Sequence, residues 1–269
     1  MSDSEKVALI TGANKGLGLE ISRQLGRKGI SVIIGSRDAV KGQEAAELLL
    51  GEGLKASAVK LDVCNDADIA ALPGLIRASH GRLDILINNA GVSMRALFKD
   101  LEVEVIEKVM GINFSGTLYC TKLALNSIIE RKGTIVGVSS IAGFRGLPGR
   151  SGYSASKFAV NGFLEALRTE LIDSGVNVMW VCPGFTASNI RNAALNRKGQ
   201  SQGESPMDEG KMMSSAACAE HILTAIEKRK RTLVLTFTGR RAVFMNKFFP
   251  GLADRLTKNF FFKKGELVR

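Results

Sequence analysis

Histidine and cysteine are scarce and scattered in this 269-residue chain: two histidines (His80, His221) and four cysteines (Cys64, Cys120, Cys182, Cys218), with no CxxC pair. Neither count nor spacing supplies a tetrahedral zinc set. Four isolated thiols read as small buried side chains of a reducing compartment, not as a disulfide framework. Also missing is any apolar run of the ~18 residues that cross a bilayer as a helix. The opening MSDSEKVALI has no basic segment followed by a long apolar one. These absences remove metal and thiol chemistry and set the expectation of a cytoplasmic protein with no secretory leader. At 45% hydrophobic and 23% charged residues, the composition is that of a globular domain with a real core.

Acidic residues run short in one place. Residues 1–227 set 25 Lys and Arg against 24 Asp and Glu, whereas residues 228–269 hold 12 against 2 and seven of the 13 phenylalanines. The net charge of +11 therefore belongs to a basic, aromatic tail on a nearly neutral body. A uniformly basic nucleic-acid binder would not look like this, and the body carries no recognition module for nucleic acid. The chain divides into a domain of residues 1–238 and an extension, 239–269, packed on or beside it.

KVALIT (6–11), SVIIGS (31–36), KASAVKLDV (55–63), DILINNA (84–90), GTIVGVSS (133–140), VNVMWVC (176–182) and TLVLTF (232–237) are short β-rich runs. The stretches between them carry helical periodicity, as at 17–28 and 39–51. Apolar strands alternating with helices predict an α/β fold: one Rossmann-type, doubly wound sheet of about seven parallel strands with helices on both faces. Such a sheet takes its ligand at the carboxyl ends of the strands. Residues 187–213 are polar and poorly patterned, and are expected to form a mobile loop over the site.

Between the first strand and the first helix lies Thr11-Gly12-Ala13-Asn14-Lys15-Gly16-Leu17-Gly18. Glycine there lets the backbone turn sharply and approach a pyrophosphate on the helix N-terminus. The spacing is GxxxGxG and not GxGxxG, but the strand–turn–helix context is the one a dinucleotide requires. A preference for NAD usually shows as an acid at the end of the second strand. Here SVIIGS ends at Ser36-Arg37, with Asp38 only afterwards, and Lys15 faces the same ribose. Two cations at the adenosine end favour a 2′-phosphate, so the expected cofactor is NADP(H).

Tyr153 and Lys157 stand four apart in the helical stretch GYSASKFAVNGFLEALRTEL, putting a phenol and an ammonium on one helix face. A carbonyl gaining hydride needs a proton donor at its oxygen. Free tyrosine, with a pKa of about 10, is too weak an acid unless a nearby cation stabilises the phenolate. Such pairs also arise by chance on helix surfaces, so their company decides. Ser140 ends GTIVGVSS, Asn88-Asn89-Ala90-Gly91 ends DILINNAG, and Asn113 lies within EVIEKVMGINFSGTLYCTKLAL. Together these residues resemble the short-chain dehydrogenase/reductase superfamily. The matching elements are TGxxxGxG at 11–18, Asp62 closing the third strand, NNAG at 88–91, Asn113, Ser140, YSASK at 153–157 and Pro183-Gly184. They fall in the family's order and at its spacings, over about residues 5–238.

The resemblance implies a carbonyl–alcohol oxidoreductase with Tyr153 as general acid or base. Lys157 would lower the tyrosine pKa and bind the nicotinamide ribose, Ser140 would position the substrate oxygen, and Asn113 would hold a water of the proton relay. Gly12, Asn14, Lys15, Gly16, Leu17 and Gly18 would line the pyrophosphate and adenosine, with Arg37 at the 2′-phosphate. Asp62 and Val63 would flank adenine; Asn89, Ala90 and Gly91 the ribose; Pro183, Gly184 and Thr186 the nicotinamide. Either Thr186 or Ser188 could supply the hydroxyl at the carboxamide. Ile141, Leu147 and Phe185 flank the catalytic elements, as do Ile190 and Met213 near the loop, and suggest a lipophilic substrate. Ser93, Met94 and Arg95 also stand within reach of the pocket. The family's frequent assembly implies a homodimer or homotetramer. The tail has three readings: it completes the fold, lies on an anionic membrane surface, or meets a second subunit. The competing function is a non-catalytic NADP(H)-binding sensor or scaffold, against which the intact Ser140, Tyr153 and Lys157 speak.

Overall fold

Strand β1 (Val7–Thr11) is buried along its whole length, as a central strand of a sheet covered on both faces must be. The structure, a computed structural model, describes residues 5–184, 186, 190–203 and 212–268. Around β1 the sheet runs β3 (Ala56–Lys60), β2 (Ser31–Ser36), β1, β4 (Ile85–Asn88), β5 (Thr134–Val138), β6 (Asn177–Cys182), β7 (Thr232–Val234). Every pairing is parallel. Period-two alternation sends Ala8 and Ile10 to one face and Val7 and Leu9 to the other. On the first face α1 (Gly16–Arg27), α2 (Ala39–Gly51) and α7 (Ser215–Glu227) supply Ile21, Leu25, Leu49 and Ile222. On the second, α3 (Asp66–His80), α5 (Gly116–Glu130) and α6 (Ser151–Glu170) supply Leu72, Ile128, Val160 and Leu164. Each such fully buried side chain contributes about 1.5–3 kcal/mol, offset by the entropy of ordering it.

The chain leaves β1 toward β2 and later returns to β4 on the opposite side, so the order reverses at β1. That switch point opens a crevice at the carboxyl ends of β1 and β4. A buried carboxylate ties these two strands at their other ends. Asp84 accepts the Val7 amide at 2.9 Å and the Arg82 Nε at 2.8 Å.

Several boundaries differ from the sequence expectation. β3 ends at Lys60, which leaves Asp62 two residues beyond the strand. β7 is three residues long, because after Leu235 donates to the Cys182 carbonyl (3.1 Å) the chain turns through a left-handed Thr236 (φ 65°). The Thr236 hydroxyl then caps α8 (Phe237–Phe248) by accepting the Gly239 amide at 3.1 Å, so a helix begins where the strand was expected to continue. Asn113 lies in a five-residue π-turn (Gly111–Ser115) between α4 (Val103–Met110) and α5. Of the loop expected over the site, residues 190–203 are pinned: Leu195 pairs with Met94, exchanging backbone bonds with Ser93 (2.9 Å) and Arg95 (2.8 Å). Residues 187–189 and 204–211 lie outside the described residues.

The tail continues as α9 (Pro250–Phe261) and a two-stranded hairpin, β8 (Phe262–Lys263) with β9 (Glu266–Leu267). It folds back on the segment between β5 and α6. Arg145 donates to Asn246 Oδ1 at 2.7 Å and pairs with Asp254, and Asn246 returns a bond to the Phe144 carbonyl at 2.8 Å. Phe261 is buried, with Arg150 over its ring. Among the described residues no helix is long and apolar enough to cross a membrane.

Candidate active site

The glycine turn is held by the strand beside it. Thr11 Oγ1 accepts the amides of Asn89 (3.0 Å) and Ala90 (2.9 Å), while Asn89 Nδ2 donates to the carbonyls of Thr11 (2.9 Å) and Gly12 (3.1 Å). A Cβ on Gly12 would stand 2.9 Å from Ala90 Cα, and one on Gly18 would stand 2.6 Å from Asn89 Nδ2. Gly16 is different: its φ is 60°, and a Cβ there would project into open space. The first turn of α1 has no side-chain cap and no acid. Its first amides receive no side-chain hydrogen bond, and Asn14 and Leu17 are half-buried in the same turn. Such a helix start is suited to an anion.

At the end of β2, Asp38 is committed elsewhere. Its carboxylate caps α2 through the Lys41 amide at 3.1 Å and meets Lys41 Nζ at 3.1 Å, and these contacts hold its pKa below the usual carboxylate range. Lys15 and Arg37 are exposed and have no ion-pair partner among the described residues. Asp62 spends one carboxylate oxygen on the Cys64 amide (3.0 Å), and Val63 is buried against Gly116.

The catalytic candidates gather at the end of β5. Ser140 stands two residues beyond the strand, its hydroxyl accepting the Ala142 amide at 3.1 Å and favouring the ionised form of the Tyr153 phenol. α6 presents Tyr153 and Lys157 on its buried face, 9% and 4% exposed. Burial raises the Tyr153 pKa, while the Ser140 bond and the charges of Arg150 and Arg191 work against that rise. Lys157 Nζ donates to the Val138 carbonyl at 2.8 Å and lies 5.6 Å from the Tyr153 ring centroid; burial brings its pKa down to about 8. Asn113 spends its side chain on positioning. Oδ1 accepts the Val92 amide (2.8 Å), and Nδ2 donates to the Val92 carbonyl (3.0 Å) and Ser156 Oγ (2.9 Å). Ser156 in turn donates to the Tyr153 carbonyl at 2.7 Å. A Cβ on Gly91 would stand 3.2 Å from Asn113 Oδ1, so that turn is closed as tightly as the first.

Pro183 and Gly184 leave β6 toward the same crevice, and a Cβ on Gly184 would strike Thr236. The Thr186 hydroxyl is buried with no oxygen or nitrogen partner, only the Cys218 thiol beside it. Phe185 and Ser188 lie outside the described residues. Leu147 packs with Met94, Val105, Val109, Ala142 and Leu195 around Tyr153 as an apolar wall. Ile141 is half-buried against the second sheet face and reaches Gly239 of α8, whereas Met213 packs with the opposite core. Sequence reasoning missed Leu195, Arg150 and Arg191, which reach the site only through folding. The tail hairpin also went unseen there, although Gly149 nearly touches Leu267.

An open parallel sheet with an anion cradle at its switch point and a buried phenol one strand away defines a dinucleotide-dependent oxidoreductase. The profile of the short chain dehydrogenase family matches residues 6–199, and the chain belongs to that family. It is 34% identical over 256 residues to dehydrogenase/reductase SDR family member 7B of Mus musculus, spanning 93% of this chain and 79% of the relative. The short-chain dehydrogenase from Sphingobium yanoikuyae in complex with NADPH shares 25% identity and a TM-score of 0.75, over 97% of this chain and 98% of that one. A short chain dehydrogenase/reductase from Burkholderia phymatum in complex with NAD has the same fold, with a TM-score of 0.83 at 22% identity over 94% and 96% of the two chains.

Proposed function

We propose that this chain is an NADP(H)-dependent oxidoreductase interconverting a ketone or aldehyde and an alcohol on a lipophilic small molecule. The observation that carries this is the buried Tyr153 phenol with Lys157 Nζ 5.6 Å from its ring, on the face of α6 turned to the carboxyl end of β5, where Lys157 donates to the Val138 carbonyl. NADP(H), when bound, supplies or takes the hydride at the substrate carbon. Tyr153 gives its proton to the substrate oxygen in reduction and takes it back in oxidation. Ser140 shares that oxygen and fixes its position. Lys157 would hold the nicotinamide ribose. Asn113 positions Val92 and Ser156 around the tyrosine, and a water on its remaining lone pair would extend the proton path.

Gly12, Asn14, Lys15, Gly16, Leu17 and Gly18 would bind the pyrophosphate end. Asp62 and Val63 would take adenine, and Asn89, Ala90 and Gly91 the ribose. Pro183, Gly184 and Thr186 would meet the nicotinamide, where a carboxamide gives the orphaned Thr186 hydroxyl a partner. The preference for NADP(H) rests on Asp38 being spent as a helix cap, which leaves Lys15 and Arg37 as the charges at the ribose. The apolar wall around Tyr153 that includes Leu147, with Ile141 half-buried nearby in the chain, selects a lipophilic substrate.

A homodimer or homotetramer is the proposed assembly, with Tyr119, Leu123 and Phe158 leaving exposed apolar side chains along α5 and α6. The tail is proposed to rest on an anionic membrane surface. Phe244, Phe248, Phe249, Leu252 and Leu256 stay exposed at helical spacing on α8 and α9, and Arg240, Arg241, Lys247, Arg255 and Lys258 accompany them.

Equilibrium titration of the purified protein with NADPH and NADH tests the reading. The expected result is tighter binding of NADPH, with Arg37→Asp shifting the preference toward NADH. Equal affinity for both would overturn the cofactor assignment, and binding of neither would overturn the oxidoreductase reading.

A further inference from the structure

Ser140 and Tyr153 are joined by a segment with little regular structure of its own. After a 3₁₀ turn at Ile141–Gly143 it runs irregularly to α6, and it contains Gly143, Gly146 and Gly149. Glycines lose more freedom on ordering than other residues, so such a segment is loose unless something outside it holds it. Its ends are tied by local hydrogen bonds. Gly143 donates to the Ser140 carbonyl at 2.9 Å, Leu147 donates to Ser154 Oγ at 3.1 Å, and the Ser154 amide donates to the Arg150 carbonyl at 2.8 Å. A shift of the segment therefore passes to Ser140 on one side and to the first turn of α6, which carries Tyr153, on the other.

The tail lies along this segment from its near end to its far end. At the near end, a Cβ on Gly239 of α8 would stand 2.9 Å from Ile141 Cδ1. In the middle, Asn246 Oδ1 accepts Arg145 Nη1 at 2.7 Å, and Asn246 Nδ2 donates to the Phe144 carbonyl at 2.8 Å. At the far end, Leu267 meets Gly149 and the Phe261 ring lies against Arg150. These contacts differ in strength. The Asp254 side chain, which pairs with Arg145, is 70% exposed, and an ion pair so open to water holds little. The Asn246 amide is half-buried and spends its acceptor and its donor on two adjacent residues, so it fixes both the position and the direction of the turn.

We propose that Asn246 is a positioning residue for the reaction: acting through Phe144 and Arg145, it holds the segment between Ser140 and Tyr153 so that both hydroxyls meet one substrate oxygen. The effect on turnover rests on the oxidoreductase reading above, whereas the hold on the segment does not. Asn246 takes no part in proton or hydride transfer itself. The inner face of the tail thus serves the chemistry, whatever its outer face meets.

The chain has two tyrosines, and the second, Tyr119, is 49% exposed on α5. Full-length protein isotope-labelled at tyrosine Cζ therefore gives one resonance for each, assigned by Tyr153→Phe. In Asn246→Ala the Tyr153 resonance is expected to shift or broaden while that of Tyr119 stays in place. Single-turnover reduction of benzaldehyde by bound NADPH is expected to slow by about 10–10²-fold, the scale on which small displacements of reacting groups act. NADPH affinity is expected to stand, since neither bond of Asn246 reaches the turn at residues 12–18. Should Asn246→Ala fail to fold, Arg145→Lys carries the same expectation, because it keeps the charge facing Asp254 and loses the fork that reaches Asn246. A Tyr153 resonance unmoved in the folded variant, or one that moves together with Tyr119, would overturn the proposal. If the unaltered chain leaves benzaldehyde unreduced, the resonances alone decide the hold. If Tyr153→Phe reduces it at the full rate while Asn246→Ala moves the Tyr153 resonance, the hold stands and the catalytic reading of Tyr153 falls. Unslowed transfer in Asn246→Ala beside an inactive Tyr153→Phe removes the positioning role and leaves that reading standing.

Discussion

Tyr153 sits between opposing influences, and its usefulness depends on their balance. Burial favours the neutral phenol, while Ser140, Arg150 and Arg191 favour the phenolate. Lys157, brought down to about 8, is largely charged at neutral pH and begins to lose that charge just above it. Tyr153→Phe is expected to keep NADPH binding and to lose about 10²–10⁴ in hydride transfer, measured by single-turnover absorbance. The pH dependence follows from the signs. Oxidation of an alcohol needs the phenolate, so its rate climbs with pH until Tyr153 has ionised. Removing a cation destabilises the phenolate and raises that pKa, so Arg150→Leu should move the climb of kcat/KM for an uncharged alcohol to higher pH. An unmoved or lowered profile would take Arg150 out of the tyrosine's electrostatics. At this scale Ser140, Tyr153 and Lys157 were legible because their spacing is linear in the chain. Leu195 was not, because only the closed fold brings it beside Tyr153.

In the glycine turn, sterics and backbone conformation constrain different positions of one element. Gly12 and Gly18 are closed by sterics against Ala90 and Asn89, whereas Gly16 is constrained only by its left-handed backbone and faces open space. Gly16→Ala should therefore cost about 1–2 kcal/mol of stability from the strained backbone. NADPH affinity should fall by tenfold or more, because the new methyl occupies the approach to the α1 amides. Urea unfolding and cofactor titration separate the two, and unchanged affinity would remove the turn from the pyrophosphate site. Apolar runs and helical periods made the seven strands and the helices between them readable, since burial on both faces leaves few polar residues to blur them. Two features escaped. The π-turn at Asn113 adds a residue to a helix without any local signature, and β7 stops early because the turn and cap at Thr236 outcompete a strand paired on one side only.

Across the whole molecule the charge asymmetry finds a shape. The basic, aromatic character of the tail was plain in the sequence; its return to Arg95, Arg145 and Arg150 was not, since the contacts join distant segments. One part of α8 and α9 is used inward, while Phe237 (81% exposed), Phe248 (56%) and Leu252 (49%) remain outward. Vesicles rich in phosphatidylserine should sediment the protein at low salt, and added salt should weaken the association as it screens the basic side chains. The double variant Phe244→Ser, Phe248→Ser should lose most of it. No sedimentation, or full binding by the double variant, would count against a membrane surface and leave a subunit contact for that face.

The family profile ends at residue 199, yet Leu267 lies against Gly149 and holds Arg95. The family-matched body and the hairpin that packs on it are thus written in different parts of the chain. Mutational drift in the last thirty residues can reshape the surroundings of Arg95, Arg145 and Arg150 without altering the matched body. For the same reason, an affinity tag fused after the hairpin would hang at the doorway of the enzyme, and one fused before β1 would not.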